Sequence, residues 1–209
     1  MKTKLETYIT SAGARNGAYI SFPTTRKAIA EQFQKCGISW ENWYVAGVKT
    51  GSNAFGRAVL NCRDPDELNY LGYWISQLTE DEYTAFFEMA EAGCAFGDRV
   101  ADYINLAANI YSHFYIDNVC NERELGQYCV CDFLNEHKDT YPPEMLFDLY
   151  GQFESIGADY AMKNHGRFYN GGFYGRTDSW KSVYEEDSDD IPAHLRLNTP
   201  CLAKRSESN

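Results

Sequence analysis

No stretch of this chain stays apolar for the ~18 residues of a membrane-spanning helix, so none is expected. No glycine-rich loop leads into Lys-Ser or Lys-Thr, so the phosphate cradle of a P-loop is missing. No serine elbow and no Cys/His signature is recognisable, which leaves nucleophilic catalysis without a starting point. Histidine is scarce, with four in 209 residues. His113 and Asp117 lie four apart, a spacing that sets two ligands on one helix face. A metal site needs three or four ligands, and no third follows. His137 sits near Asp139 in an acidic stretch, and His165 falls at a helix end where a cation is favoured; both read as structural. The seven cysteines (Cys36, Cys62, Cys94, Cys120, Cys129, Cys131 and Cys201) are odd in number and lack a zinc-type or redox-type repeat. Cys129 and Cys131, the one close pair, would point to different sides of a helix. With no signal peptide at the start, they read as reduced thiols in the cytoplasm. The expectation is therefore a protein with no metal, no cofactor and no enzymatic activity.

Positive charge is the next shortage, and it is local. Residues 1–64 carry Lys/Arg 9 and Asp/Glu 4, a net +5. Residues 65–165 carry Lys/Arg 4 and Asp/Glu 19, a net −15, and residues 166–209 come to −1. A block that acidic repels nucleic acid and favours a basic partner surface. Duplex DNA carries about one charge per 1.7 Å of axis, so nineteen carboxylates compare with the phosphates of about one turn. An ordinary solvated acidic face is the plainer account. Hydrophobic residues at 44% and aromatics at 15% are enough for real cores, so the chain is not disordered throughout.

Four regions follow in order. Residues 1–64 read as an N-terminal α/β domain. Its strands are expected at 5–10, 18–22 and 41–48, with a possible fourth at 58–62, and its helix opens at Pro23 and closes at Gly37. Its cations Arg15, Arg26, Lys27, Lys35 and Arg57 are scattered and read as surface. Residues 65–110 read as a central helical domain. Asp64 caps its first helix, Pro65 starts it, and Glu67 is the expected reciprocal acceptor. Thr79 and Glu82 form a second capping box, and a third helix spans about 98–110. Residues 111–176 read as a C-terminal α+β domain, with a strand at 111–116 and a helix from Glu122. Residues 177–209, with the run Glu185-Glu186-Asp187-Ser188-Asp189-Asp190, read as a disordered acidic and polar tail.

The organising stretch is 142–174. Pro142-Pro143 opens a helix. Leu146, Leu149, Tyr150, Phe153, Ile156, Gly157, Tyr160 and Ala161 form one apolar stripe. Glu144, Asp148 and Asp159 fall opposite it, with Glu154 on its flank. The stripe predicts one helix of roughly 30 Å. Asn164-His165-Gly166 ends it, and Asn170-Gly171-Gly172 signals a hairpin.

This order of features resembles the ArdA antirestriction family. The resemblance rests on Pro143-Glu144, on Glu154-Ser155-Ile156-Gly157-Ala158-Asp159, on Gly166-Arg167-Phe168 and on Gly171-Gly172-Phe173. The Glu-Leu-Gly-x-Tyr segment at 124–128 is similar to a further element of that family. The resemblance implies an α+β fold of three small domains in an elongated, curved row, with an acidic surface. It implies a protein from mobile elements that mimics duplex DNA, acts as a homodimer, and blocks the methyltransferase core of type I restriction–modification enzymes. It associates Glu144 and Asp148 with the antirestriction helix, and Glu154 and Asp159 with its continuation. The remaining candidates for a DNA-mimic surface are Glu122, Glu124, Asp132, Glu136, Asp139, Glu80, Asp81, Glu88, Glu91, Asp98 and Asp102. No direct nucleic-acid or membrane partner is expected. The same surface suits two other readings: an inhibitor of another nucleic-acid-guided defence enzyme such as a CRISPR effector, or an adaptor for a basic cellular protein. A hydrolase or metal enzyme without a recognisable motif is the reading from a different class.

Overall fold

The computed structural model describes residues 4–197. The fold is α+β, and the described residues divide into two compact units: residues 4–91, 95–108 and 182–197, and residues 92–94 and 109–181. The first thus joins the N-terminal and central regions that composition separates, and it takes in the C-terminal segment as well.

In the first unit, strict alternation makes the sheet. Leu5, Ile9, Ala18, Ile20, Phe22, Trp43 and Val45 point inward from β1 (Leu5–Ser11), β2 (Ala18–Phe22) and β3 (Trp43–Val48). The strands are antiparallel in the order β2-β1-β3. Helix α1 (Arg26–Cys36) starts at Thr25, whose hydroxyl accepts from the Ala28 amide at 3.2 Å, and stops at Gly37 in the left-handed region, φ 71°. The fourth strand expected at 58–62 is instead the end of helix α2 (Asn53–Asn61). Phe55, Ala58 and Val59 recur at three- and four-residue steps and are all buried, so the helical period wins. Helices α3 (Pro65–Ile75), α4 (Glu80–Glu91) and α5 (Val100–Ala108) complete the unit. Phe55 centres their core, with Phe86, Phe87 and Tyr103 each edge-on at 5.4 Å.

The expected disordered tail departs from the structure over 177–197. Tyr184, Ile191, Leu195 and Leu197 are buried. Asparagine side chains bind this segment as a neighbouring strand would. Asn105 Oδ1 accepts from the amides of Val183 (2.7 Å) and Tyr184 (3.1 Å), and its Nδ2 donates to the Tyr184 carbonyl at 2.8 Å. Asn69 Nδ2 donates to the Leu195 carbonyl at 2.7 Å, and Asp66 accepts from the Leu197 amide. Glu67 does not close the α3 cap. It accepts from the Tyr184 hydroxyl at 2.9 Å instead. Four apolar residues among many charges suffice to order the segment because a ready surface exists for them. The expectation for 198–209 lies outside the described residues.

In the second unit a short 3-10 turn (Ile110–Ser112) precedes β4 (His113–Asp117). Strands β5 (Arg167–Tyr169) and β6 (Gly172–Arg176) give an antiparallel sheet ordered β4-β6-β5. The β5–β6 hairpin turns through Asn170 (φ 50°) and Gly171 (φ 83°), the paired positive angles that a tight two-residue turn requires. Helix α6 (Glu122–Glu136) packs across the sheet through Leu125, which joins Ile116, Val119 and Phe173. The long helix expected from Pro142 is broken into α7 (Met145–Leu149), a 3-10 turn at Tyr150–Gln152 and α8 (Phe153–Lys163). Gly151, in the middle of that turn, supplies the weak link.

Candidate functional site

The second unit holds nine of the fifteen candidate carboxylates, seven of them on three helices. Helix α6 starts with a reciprocal cap: Asn121 Oδ1 accepts from the Glu124 amide at 3.0 Å, and Glu124 Oε2 accepts from the Cys120 amide at 2.7 Å. Its buried stripe is Leu125, Gly126, Val130 and Leu134, which leaves Glu122, Asp132 and Glu136 in solvent. Asp139 lies exposed in the turn beyond it. Glu144 immediately precedes α7 and Asp148 lies within it, both exposed, while Met145, Leu146 and Leu149 turn toward Val130, Leu134 and Phe153. Glu154 and Asp159 are exposed on α8. Among the described residues, no ion pair engages Glu122, Asp132, Glu136, Asp139, Glu144, Asp148, Glu154 or Asp159. The guanidinium of Arg123 is occupied over the Tyr150 ring, 4.5 Å from its centroid.

Helices α6 and α8 meet backbone to backbone. A Cβ at Gly157 would strike the carbonyl of Glu122 and the amide of Gly126, and a Cβ at Gly126 would strike the carbonyl of Phe153. Advancing from 153 to 157 on α8 thus means retreating from 126 to 122 on α6, so the two run antiparallel at this crossing. Neither glycine was a candidate from sequence. A signal was present, since each is a helix-interior glycine that costs about 1 kcal/mol against alanine and calls for a packing reason.

The first unit's candidates divide. Glu80, Asp81, Glu88 and Asp98 are exposed. Glu91 instead caps α2. Its Oε2 accepts from the Ser52 hydroxyl at 2.6 Å and the Ala54 amide at 3.1 Å, which holds its carboxyl below the usual range. Asp102 is committed to Arg99, accepting from its amide at 3.0 Å with Nε at 3.6 Å. Those two carboxylates serve the fold. Glu185 to Asp190, placed in the tail from sequence, add exposed acids to this unit, with Glu186 paired to Arg99 at 2.7 Å and Asp189 to Arg196 at 3.3 Å.

Among the described residues no three His, Cys, Asp or Glu side chains converge as a metal site would need. No helix among them is long and apolar enough to cross a membrane. His113 lies on β4, with its Nδ1 at 3.0 Å from the Asn109 carbonyl, and burial lowers its pKa.

The family model described as "Antirestriction protein (ArdA)" matches residues 3–175, well over half the chain. The chain belongs to the ArdA antirestriction protein family. No curated protein matches it. The ArdA match ends within β6, so the strap over 182–197 lies beyond it. Within the match, the ArdA-like Glu-Leu-Gly and Glu-x-x-Gly-x-Asp segments fall on α6 and α8, and the glycines of both are the ones that touch.

Proposed function

We propose that this ArdA protein blocks type I restriction–modification enzymes by occupying their DNA-binding groove as a decoy for duplex DNA, without catalysis or cofactor. The observation that carries the reading is the set of exposed carboxylates on α6, α7 and α8, none of which forms an ion pair with a lysine or arginine among the described residues, in a member of an antirestriction family. A DNA groove is lined with lysine and arginine that bind phosphate with release of counterions. Carboxylates fixed on packed helices can take the phosphates' place without presenting bases. Asp132 and Glu136, one turn apart on α6, are separated by about 6 Å along the axis, near two nucleotide steps of one strand. Helices hold them ready, so little ordering cost falls on binding. Exposed Phe147 on α7, Tyr150 in the turn that follows it and Met162 on α8 support assembly as a homodimer.

The test is competition. The protein should displace duplex DNA from the methyltransferase core, and the inhibitory concentration should rise steeply with salt. Replacing Glu144→Lys together with Asp148→Lys should raise that concentration by about tenfold or more, since two attractive charges become repulsive. Both side chains face solvent, so the circular dichroism spectrum should be unchanged. A folded double variant with full inhibition would remove this surface from the mechanism.

A further inference from the structure

Glycines at 126 and 157 bring two acid-bearing helices closer than helices ordinarily pack. Helix axes normally sit about 8–10 Å apart, kept there by side chains at the contact. Here no side chain intervenes, and the contact atoms are backbone: the Glu122 carbonyl against Gly157, and the Phe153 carbonyl against Gly126. The residues involved are tied directly to the exposed acids. Glu122 is one of them, Glu154 follows Phe153, and Asp159 lies two residues beyond Gly157. Each acid therefore stands within one turn of a backbone contact that tolerates no added atom. Leu125 and Phe153 are buried beside the crossing, each in its own apolar cluster.

We infer that Gly126 and Gly157 are positioning residues of the antirestriction surface: their crossing fixes the separation between the carboxylates of α6 and those of α8, and that separation selects the enzyme's groove. The inference rests on the decoy reading above. A groove that binds two phosphate strands has cationic residues at set distances, so an acid array of the same charge but different spacing meets fewer of them. Added bulk at position 157 pushes α8 away from α6 and moves Glu154 and Asp159 relative to Glu122, with no change in net charge.

Three variants separate spacing from charge and from stability in the DNA-competition assay, read as inhibitory concentration against salt. Gly157→Ala should raise the inhibitory concentration about tenfold and lower the salt slope by about one, the signature of a lost ionic contact. Leu125→Ala removes core volume beside the crossing but leaves its backbone contact alone. It should lower the melting temperature and keep the wild-type slope. The third variant keeps both glycines and exchanges neighbours, Glu154→Ser with Ser155→Glu and Ala158→Asp with Asp159→Ala. All four positions are exposed. Net charge is kept, and each carboxylate swings about 100° around α8. This variant should lose inhibition and slope as Gly157→Ala does, and it decides the matter if Gly157→Ala does not fold. Wild-type inhibition and slope in the exchanged variant overturn the inference, as does a slope change in Leu125→Ala equal to that in Gly157→Ala. Failure of the wild-type protein to displace DNA at any salt instead sinks the decoy reading itself.

Discussion

Cysteine illustrates how position sets reactivity at the scale of one residue. Cys62 donates to the Asp64 carbonyl at 3.3 Å, and burial first, then the neighbouring Glu67 and Asp64 charges, push its thiol up to about 12. Burial alone lifts Cys94 to about 12 as well, with Arg167 opposing it. Nucleophilic thiolate is thus almost absent at both near neutral pH. Cys120, by contrast, is exposed at the mouth of α6. Alkylation of the folded protein at pH 8 should modify Cys120 rapidly and leave Cys62 and Cys94 unmodified until denaturant is added, as read by peptide mass spectrometry. Rapid labelling of Cys62 in the native protein would contradict its burial.

At the scale of elements, the clearest joint is the one between α4 and α2. Glu91, at the end of α4, satisfies amide and hydroxyl donors at the start of α2. The folded-state pKa is depressed, first by Ser52 and then by the Ala54 amide. Its stabilisation is therefore present above the unfolded carboxylate range and lost as pH falls through the lower folded value. Glu91→Gln should cost about 1 kcal/mol at pH 7 in urea unfolding, a typical loss for a helix cap. The gap from wild type should narrow below about pH 4. Sequence reading placed Glu91 on the decoy surface because the acid pattern of α4 is legible, but a partner 37 residues earlier in the chain is not. The same limit explains Glu67, whose partner Tyr184 lies far along the chain, whereas Asp102 answers its near neighbour Arg99. Local signals fared better: the Asp64 cap, the Thr79–Glu82 capping box, the Gly37 stop and the Asn170-Gly171 turn are all written in adjacent residues. Among the longer-range features, the Gly126–Gly157 contact was legible only as two unexplained helix-interior glycines. The α7–α8 break at Gly151 was hidden by an apolar stripe that continues through it.

On the scale of the whole molecule, the order of the chain and the order of packing disagree. The first unit opens with β1 and is completed by residues 182–197, and the second unit is inserted between. A chain ending at Lys181 keeps the second unit but removes buried Tyr184, Ile191, Leu195 and Leu197. At about 1.5–3 kcal/mol for each buried side chain, that loss rivals the whole stability of a small domain. The shortened protein should show early melting of the first unit and strong binding of a hydrophobic dye, while an unchanged melt would make the strap dispensable. Composition hid this because a segment dense in acids reads as too polar to fold, and nothing local announces that Asn69 and Asn105 wait for it.

The interrupted order of the first unit also sets a clock during synthesis. A ribosome adds about 5–20 residues each second. Between the emergence of α5 and that of Leu197, the helices that receive the strap stand uncovered for on the order of 5–20 s. The second unit has all its parts by Lys181 and is free to assemble meanwhile, so newly made protein should acquire its α6–α8 surface before its amino-terminal unit is sealed.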